Sequence, residues 1–270
     1  MCRVGCRRRF FLMRSQLSWG VRPHLHSLPE RPVFRFGFAP RHDAIPARHA
    51  ATLWEAAVVL GLPVAIFLGP QLWPLLVAGE VVMRPAFSDT GLLRTLAFEV
   101  VLAALLLAWL SRRGWRIGSH VGAPTLGDLT RGVGLWVVLF VAGQLVRLAL
   151  FILSPEVVTA TQAAPLYGAL SLWTLAAALV INPVFEEGLW LGYAIPTLEQ
   201  AAGLRVAVVV SVVLRVLVHF NQGLHALVSV LPVGLVFTAY FVRTRRLWPV
   251  VVAHVINNAI GLGAFTSGDS

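Results

Sequence analysis

Between residues 53 and 264 the chain is a succession of apolar segments, and this pattern restricts its fold more than any other feature. The segments lie near 53–79, 91–110, 132–153, 168–195, 206–222, 226–242 and 247–264. Each is at or close to the ~20 residues with which an α-helix crosses about 30 Å of hydrocarbon. Lipid offers no partner to a bare N–H or C=O, so segments of this kind cross it as helices. The expected fold is therefore all-α: a polytopic membrane helical bundle of about seven transmembrane helices. Pro63, Pro70 and Pro74 make the first segment irregular, and the fifth and sixth are short and poorly separated, so six or eight spans are the alternatives. Composition points the same way. The chain is 57% hydrophobic and 13% charged, against about 45–50% and about 25% in soluble domains.

The basic residues orient the bundle. All 22 are arginine, against 12 acids, for a net charge of +10. Residues 1–50 contain ten arginines, and Glu30 and Asp43 are their only acids. They read as a basic, disordered N-terminal arm ahead of a transmembrane domain at 51–266. Arg8-Arg9-Phe10-Phe11-Leu12 resembles a twin-arginine export signal, but Arg14, Arg22, His24 and His26 interrupt the apolar stretch such a signal needs. With the arm in the cytoplasm, alternation puts Arg112, Arg113, Arg116, Arg131, Arg205, Arg243, Arg245 and Arg246 on the same side. The other side receives Arg84 and the arginine-free 154–167 loop. Such an excess of arginine on one side is the cytoplasmic signature of a multi-pass protein of the cell membrane. The basic charge is thereby assigned to the lipid bilayer as partner, and no nucleic acid is expected. Cys2 and Cys6 are the only cysteines and precede every folded-looking segment. Any metal would have to be held by His, Glu or Asn.

The polar residues of the apolar body fall in three of the later segments. The fourth carries Glu186 and Glu187, the fifth Arg215 and His219, and the seventh His254, Asn257 and Asn258. An acid at mid-membrane costs roughly 2.5–3.5 kcal/mol on insertion scales, which makes it a functional candidate by default. The plain alternative is a pair of acids solvated at a helix end. Arg215 and His219 are four residues apart, as are His254 and Asn258, so each pair shares a helix face. Glu186 and Glu187 diverge by about 100° on a helix, so one can face a reaction centre while the other braces it. Pro183, without an N–H, loosens the helix one turn earlier. Carboxylates, histidines and an amide on neighbouring helices supply a base, a proton shuttle and an oxyanion donor. They equally supply ligands for a metal that activates water.

Three sequence patterns carry a resemblance. They are Glu186-Glu187, the apolar helix ending in His219, and Leu247-Trp248-Pro249-Val250-Val251-Val252-Ala253-His254-Val255-Ile256-Asn257-Asn258. Over about 165–262 the chain resembles the CAAX prenyl endopeptidase and bacteriocin-processing (abortive-infection-like) family of intramembrane metalloproteases. That family's motifs read Glu-Glu-x-x-x-Arg, Phe-x-x-x-His and His-x-x-x-Asn. The resemblance implies an intramembrane endopeptidase acting on a peptide or protein substrate. Glu186 would activate water with help from His219, His254 and Asn258 would hold the substrate and oxyanion, and Glu187 would orient the group. It also implies a zinc site at Glu186, His219 and His254; a metal-free, glutamate-driven reaction is equally consistent with these residues. Two positions depart from the motifs. The first arginine falls on Leu191 and the second phenylalanine on Arg215. The two departures are linked if Arg215 reaches the glutamate pair from the next helix and replaces the missing charge, with Asn257 as a further supporting residue. A catalytically inactive scaffold or immunity-type binding protein is the alternative, followed by a transporter using the cluster as an ion site, although no repeated halves are visible.

Overall fold

Every apolar segment forms helix, because each offers lipid only side chains and closes its own backbone hydrogen bonds. The computed structural model describes residues 52–79, 88–116, 118–156, 170–220 and 224–266. The basic arm, Arg84 and most of the 154–167 loop lie outside the described residues. The elements are α1 (Leu53–Ala78), α2 (Asp89–Arg112), the short α3 (Gly118–Val121), α4 (Leu126–Leu153) and α5 (Leu172–Glu187). A π-helical turn at Gly188–Tyr193 carries α5 into α6 (Ala194–Ala202). α7 (Leu204–Val218), α8 (Leu224–Thr244) and α9 (Trp248–Thr266) follow. No strand occurs among the described residues. The protein is thus a polytopic helical bundle of the membrane type.

Among the described residues, four helices are long and apolar enough to cross a membrane: Leu53–Pro70, Asp89–Arg112, Leu126–Leu153 and the continuous Leu172–Ala202. Val228–Thr244 is a shorter apolar helix. The fifth expected span is the 15-residue α7, whose rise of about 22 Å is less than a hydrocarbon thickness. It is braced between α6 and α8 instead of standing alone.

The core gathers where α4, α5, α7, α8 and α9 meet. Trp190, Leu191, Ile195, Phe237, Phe241 and Val250 are buried there. The outer faces expose Leu105, Leu145, Phe151 and Val209, as a lipid-facing surface does. Without a hydrophobic drive between helices in lipid, small residues set how closely they pack. Gly132 on α4 is such a residue: a Cβ there would lie 2.5 Å from Val252 Cβ and 2.9 Å from the Pro249 carbonyl oxygen. α9 therefore lies directly on the α4 backbone.

The arginine-rich end is tied by ion pairs. Arg246 donates through Nε to Asp128 Oδ1 and through Nη2 to Asp128 Oδ2, both at 2.8 Å. These bonds hold the Arg246 guanidinium firmly in its charged form. Asp128 Oδ2 also accepts from the Thr125 backbone N–H and hydroxyl. Arg245, at φ 54°, pairs with Glu199, and Trp248 Nε1 donates to the Gly122 carbonyl at 2.8 Å. Between them these contacts fix where α9 begins, six residues before His254. At the start of α1, Arg113 bonds the buried Glu55 at 3.0 Å and lies over the rings of Trp54 and Trp109.

Candidate active site

The glutamate pair ends α5, at the entry to the π-helical turn. Turns of this kind carry one residue more per hydrogen-bonded ring and recur at functional positions. Here Ser211 on α7 donates its hydroxyl to the Trp190 carbonyl at 2.7 Å, which satisfies a carbonyl of the widened turn and ties α7 to it. The two acids separate as their spacing predicts. Glu187 is fully buried, whereas Glu186 retains 13% side-chain exposure.

Glu187 is held by two other helices. Arg215 Nη1 donates to its Oε1 at 2.7 Å and Nη2 to its Oε2 at 2.6 Å. The planar guanidinium matches the carboxylate as a fork. His254 Nδ1 lies 2.7 Å from Oε1 of the same carboxylate, and as the acceptor is a carboxylate oxygen, Nδ1 carries the hydrogen. Glu187 thus receives its guanidinium from α7, while Leu191 itself is fully buried apolar packing. His254 also packs against the buried Phe237 ring, with centroids 5.9 Å apart.

Glu186 faces a different set. Its Oε1 accepts from Asn182 Nδ2 at 3.0 Å and lies 3.7 Å from His219 Nε2. His219 caps the C-terminus of α7, and its Nδ1 is 2.7 Å from the Arg215 carbonyl. A carbonyl only accepts, so Nδ1 bears the hydrogen and, in the neutral ring, Nε2 presents its lone pair to Glu186. Asn258 Nδ2 approaches Asn182 Oδ1 at 3.5 Å. Asn257 makes no contact with this cluster among the described residues.

The structure therefore brings Glu186, Glu187, Arg215, His219, His254 and Asn258 into one cluster. Two members were not anticipated. Asn182, one residue before Pro183, bonds Glu99 and Glu186 and faces Asn258. Glu99 on α2 is 3% exposed, and its Oε1 accepts from Asn182 Nδ2 at 2.9 Å. The expectation that polar groups are confined to three later helices is corrected by Glu99, and by Glu55 on α1. The signal was present in the sequence, since an acid in the second apolar segment meets the same criterion that singled out Glu186.

One ligand atom from each of Glu186, Glu187 and His254 falls within 4.8 Å of the others. This is not the set expected from sequence, Glu186, His219 and His254. Both oxygens of Glu187 are bonded to a guanidinium, and Nδ1 of His254 is directed at Glu187. A cationic partner on the ligand carboxylate opposes a second cation, so these donors fit a zinc ion poorly as they are arranged.

Neither the curated proteins nor the solved structures contain a match to the chain. Residues 168–260, which include every cluster member except Glu99, match the family model described as Type II CAAX prenyl endopeptidase Rce1-like.

Proposed function

We propose that the protein is a membrane-embedded endopeptidase in which Glu186 activates water for attack on a peptide bond. The observation that carries this reading is the 3.7 Å approach of Glu186 Oε1 and His219 Nε2. The pair is too far apart for a direct hydrogen bond and close enough for one water to touch both. Both atoms accept, so a water between them gives one hydrogen to each and turns a lone pair outward. The oxygen attacks the scissile carbonyl carbon as Glu186 takes the proton. Collapse of the tetrahedral intermediate breaks the C–N bond, and Glu186 returns the proton to the leaving amine.

The other residues serve this step. Arg215 balances the charge of Glu187, which fixes Nδ1 of His254 and leaves Nε2 of that ring for the substrate. Asn258, one turn further along α9, supplies an amide for the developing oxyanion. No step is routed through a metal, because in the clustered set both oxygens of Glu187 are held by Arg215 and Nδ1 of His254 is held by Glu187. The family description names a prenylated CAAX peptide as the substrate class, and the same chemistry serves an unmodified peptide. The chain is read as a multi-pass protein of the cell membrane with its N-terminus in the cytoplasm, from its arginine distribution.

The test uses the full chain in lipid vesicles with an internally quenched peptide containing farnesylcysteine followed by three residues, beside its unprenylated counterpart. Glu186→Gln, His219→Ala and His254→Ala are each expected to abolish cleavage, and a chelator to leave the wild type active. Wild-type rates in all three variants overturn the reading. Loss of activity with chelator, restored by zinc, overturns its metal-free form.

A further inference from the structure

Glu99 is a carboxylate that the proposed reaction does not use. It is nearly completely buried on the membrane-spanning α2, where an acid is costly to keep. Its Oε2 is buried with no hydrogen-bond partner among the described residues. Among the described residues its hydrogen-bond partner is the amide nitrogen of Asn182. That nitrogen has two hydrogens, and both are committed, one to Glu99 Oε1 at 2.9 Å and the other to Glu186 Oε1 at 3.0 Å. Asn182 therefore links a carboxylate on α2 to the carboxylate proposed as base on α5.

Orientation follows from this link. An asparagine amide turns readily about its last torsion, and its oxygen and nitrogen compete for the same space. Glu186 accepts only, so it already draws the Nδ2 end of the amide, and Asn258 Nδ2 faces Oδ1 from the other side. Glu99 adds the plane in which the amide lies: it takes one of the two N–H bonds, and the other is then directed at Glu186 Oε1. Glu186 is thereby restrained through one oxygen, the oxygen that also faces His219.

We propose that Glu99 is a positioning residue for the reaction, holding the Asn182 amide so that it fixes Glu186 Oε1 against His219. The proposal rests on the reading of Glu186 as the base. Glu99 acts through Asn182, whose amide it holds.

The experiment is a double-mutant cycle with two readouts on the full chain in lipid vesicles. The first is cleavage of the quenched farnesylcysteine peptide. Glu99→Leu is expected to lower kcat by about 10- to 100-fold, the effect of small misplacements of a reacting group, with KM changed less than about twofold. Glu99→Gln retains an oxygen that accepts the Asn182 hydrogen and should recover most of the rate. In an Asn182→Ala background Glu99→Leu should have no further effect, since the residue through which it acts is gone. The second readout is the rate at which dicyclohexylcarbodiimide labels Glu186, followed by mass spectrometry, which needs no turnover. Glu99→Leu and Asn182→Ala should change that rate alike, and the double variant no more than either. Equal effects of Glu99→Leu with and without Asn182, or no effect on labelling, overturn the proposal. If the wild type cleaves no peptide, the hydrolase reading fails, while the labelling cycle still decides the role of Glu99.

Discussion

Two arginine–carboxylate forks, Arg246–Asp128 through Nε and Nη2 and Arg215–Glu187 through Nη1 and Nη2, have nearly the same bond lengths and different surroundings. At the arginine-rich end, Arg246 meets Asp128 with both bonds at 2.8 Å, and the arginine side chain is 38% exposed. In the core, Arg215 meets Glu187 at 2.7 and 2.6 Å, with the two side chains 1% and 0% exposed. In the outer pair the arginine reaches water, whereas Asp128 is 3% exposed and also accepts from Thr125. Removing the arginine leaves Asp128 with those two bonds and with Arg131 at 3.5 Å, and pairs with one exposed partner contribute about 0–1 kcal/mol. The inner pair has no water to fall back on. Its loss leaves a buried charge alone, which costs about 3–5 kcal/mol, although replacing both partners with apolar residues is often neutral. One geometry therefore serves as a fastening at the edge and as the frame of a reactive group in the core.

The contrast breaks first at Arg215. Arg215→Leu should destabilise the protein by about 3–5 kcal/mol, read as a lowered thermal midpoint in detergent, and abolish peptide cleavage. Arg215→Phe combined with Leu191→Arg should restore part of both losses by supplying the charge from α5 itself. If Arg215→Phe alone is as stable and active as the wild type, the compensation idea is wrong. Adding Glu187→Met to Arg215→Leu sharpens the point: stability should return and cleavage should not, which separates the energetic role of the pair from its role in holding His254.

Smaller effects follow outward from the core. Gly132→Val drives a side chain into Val252 and should cost about 1–3 kcal/mol, measured by the same melt, with slower cleavage as α9 and His254 are displaced. Arg246→Ala should cost about 1 kcal/mol or less at low ionic strength, and the difference should shrink in high salt. Arg131→Gln should be indistinguishable from wild type in both assays, because its contact to Asp128 is 3.5 Å and the arginine is 52% exposed.

The helices were legible because apolar runs of membrane length have few other outcomes. That Glu186 and Glu187 face different partners was legible too, since adjacent helical positions must point apart. The role open to Arg215 could be read from a charge absent at Leu191 and present one helix later. Glu99 was not found because a single acid in a long apolar segment is easily passed over, and its partner Asn182 is 83 residues away. The π-helical turn was hidden for another reason. Gly188-Leu189-Trp190-Leu191-Gly192-Tyr193 has no local signature of it, and the Ser211 hydroxyl that supports it arrives from α7. The ion pairs of Arg245 and Arg246 were missed because arginines at that end were read only as markers of orientation.

Supplying the arginine from α7 changes how the chain must enter the membrane. An arginine at position 191 would have travelled into the bilayer on the same helix as the glutamates and offset them during insertion. With Leu191 there, α5 carries two acids, Glu186 and Glu187, and no basic residue follows before Ala202, a penalty of roughly 2.5–3.5 kcal/mol for each acid near mid-membrane. The compensating charge is made later, on a helix joined to α6 through Gly203 at φ 89°. That short connection keeps α7 beside the helix that needs it. The α5–α6–α7 hairpin is thus the smallest unit of this protein that the translocation machinery can release into lipid with the Glu187 charge already balanced.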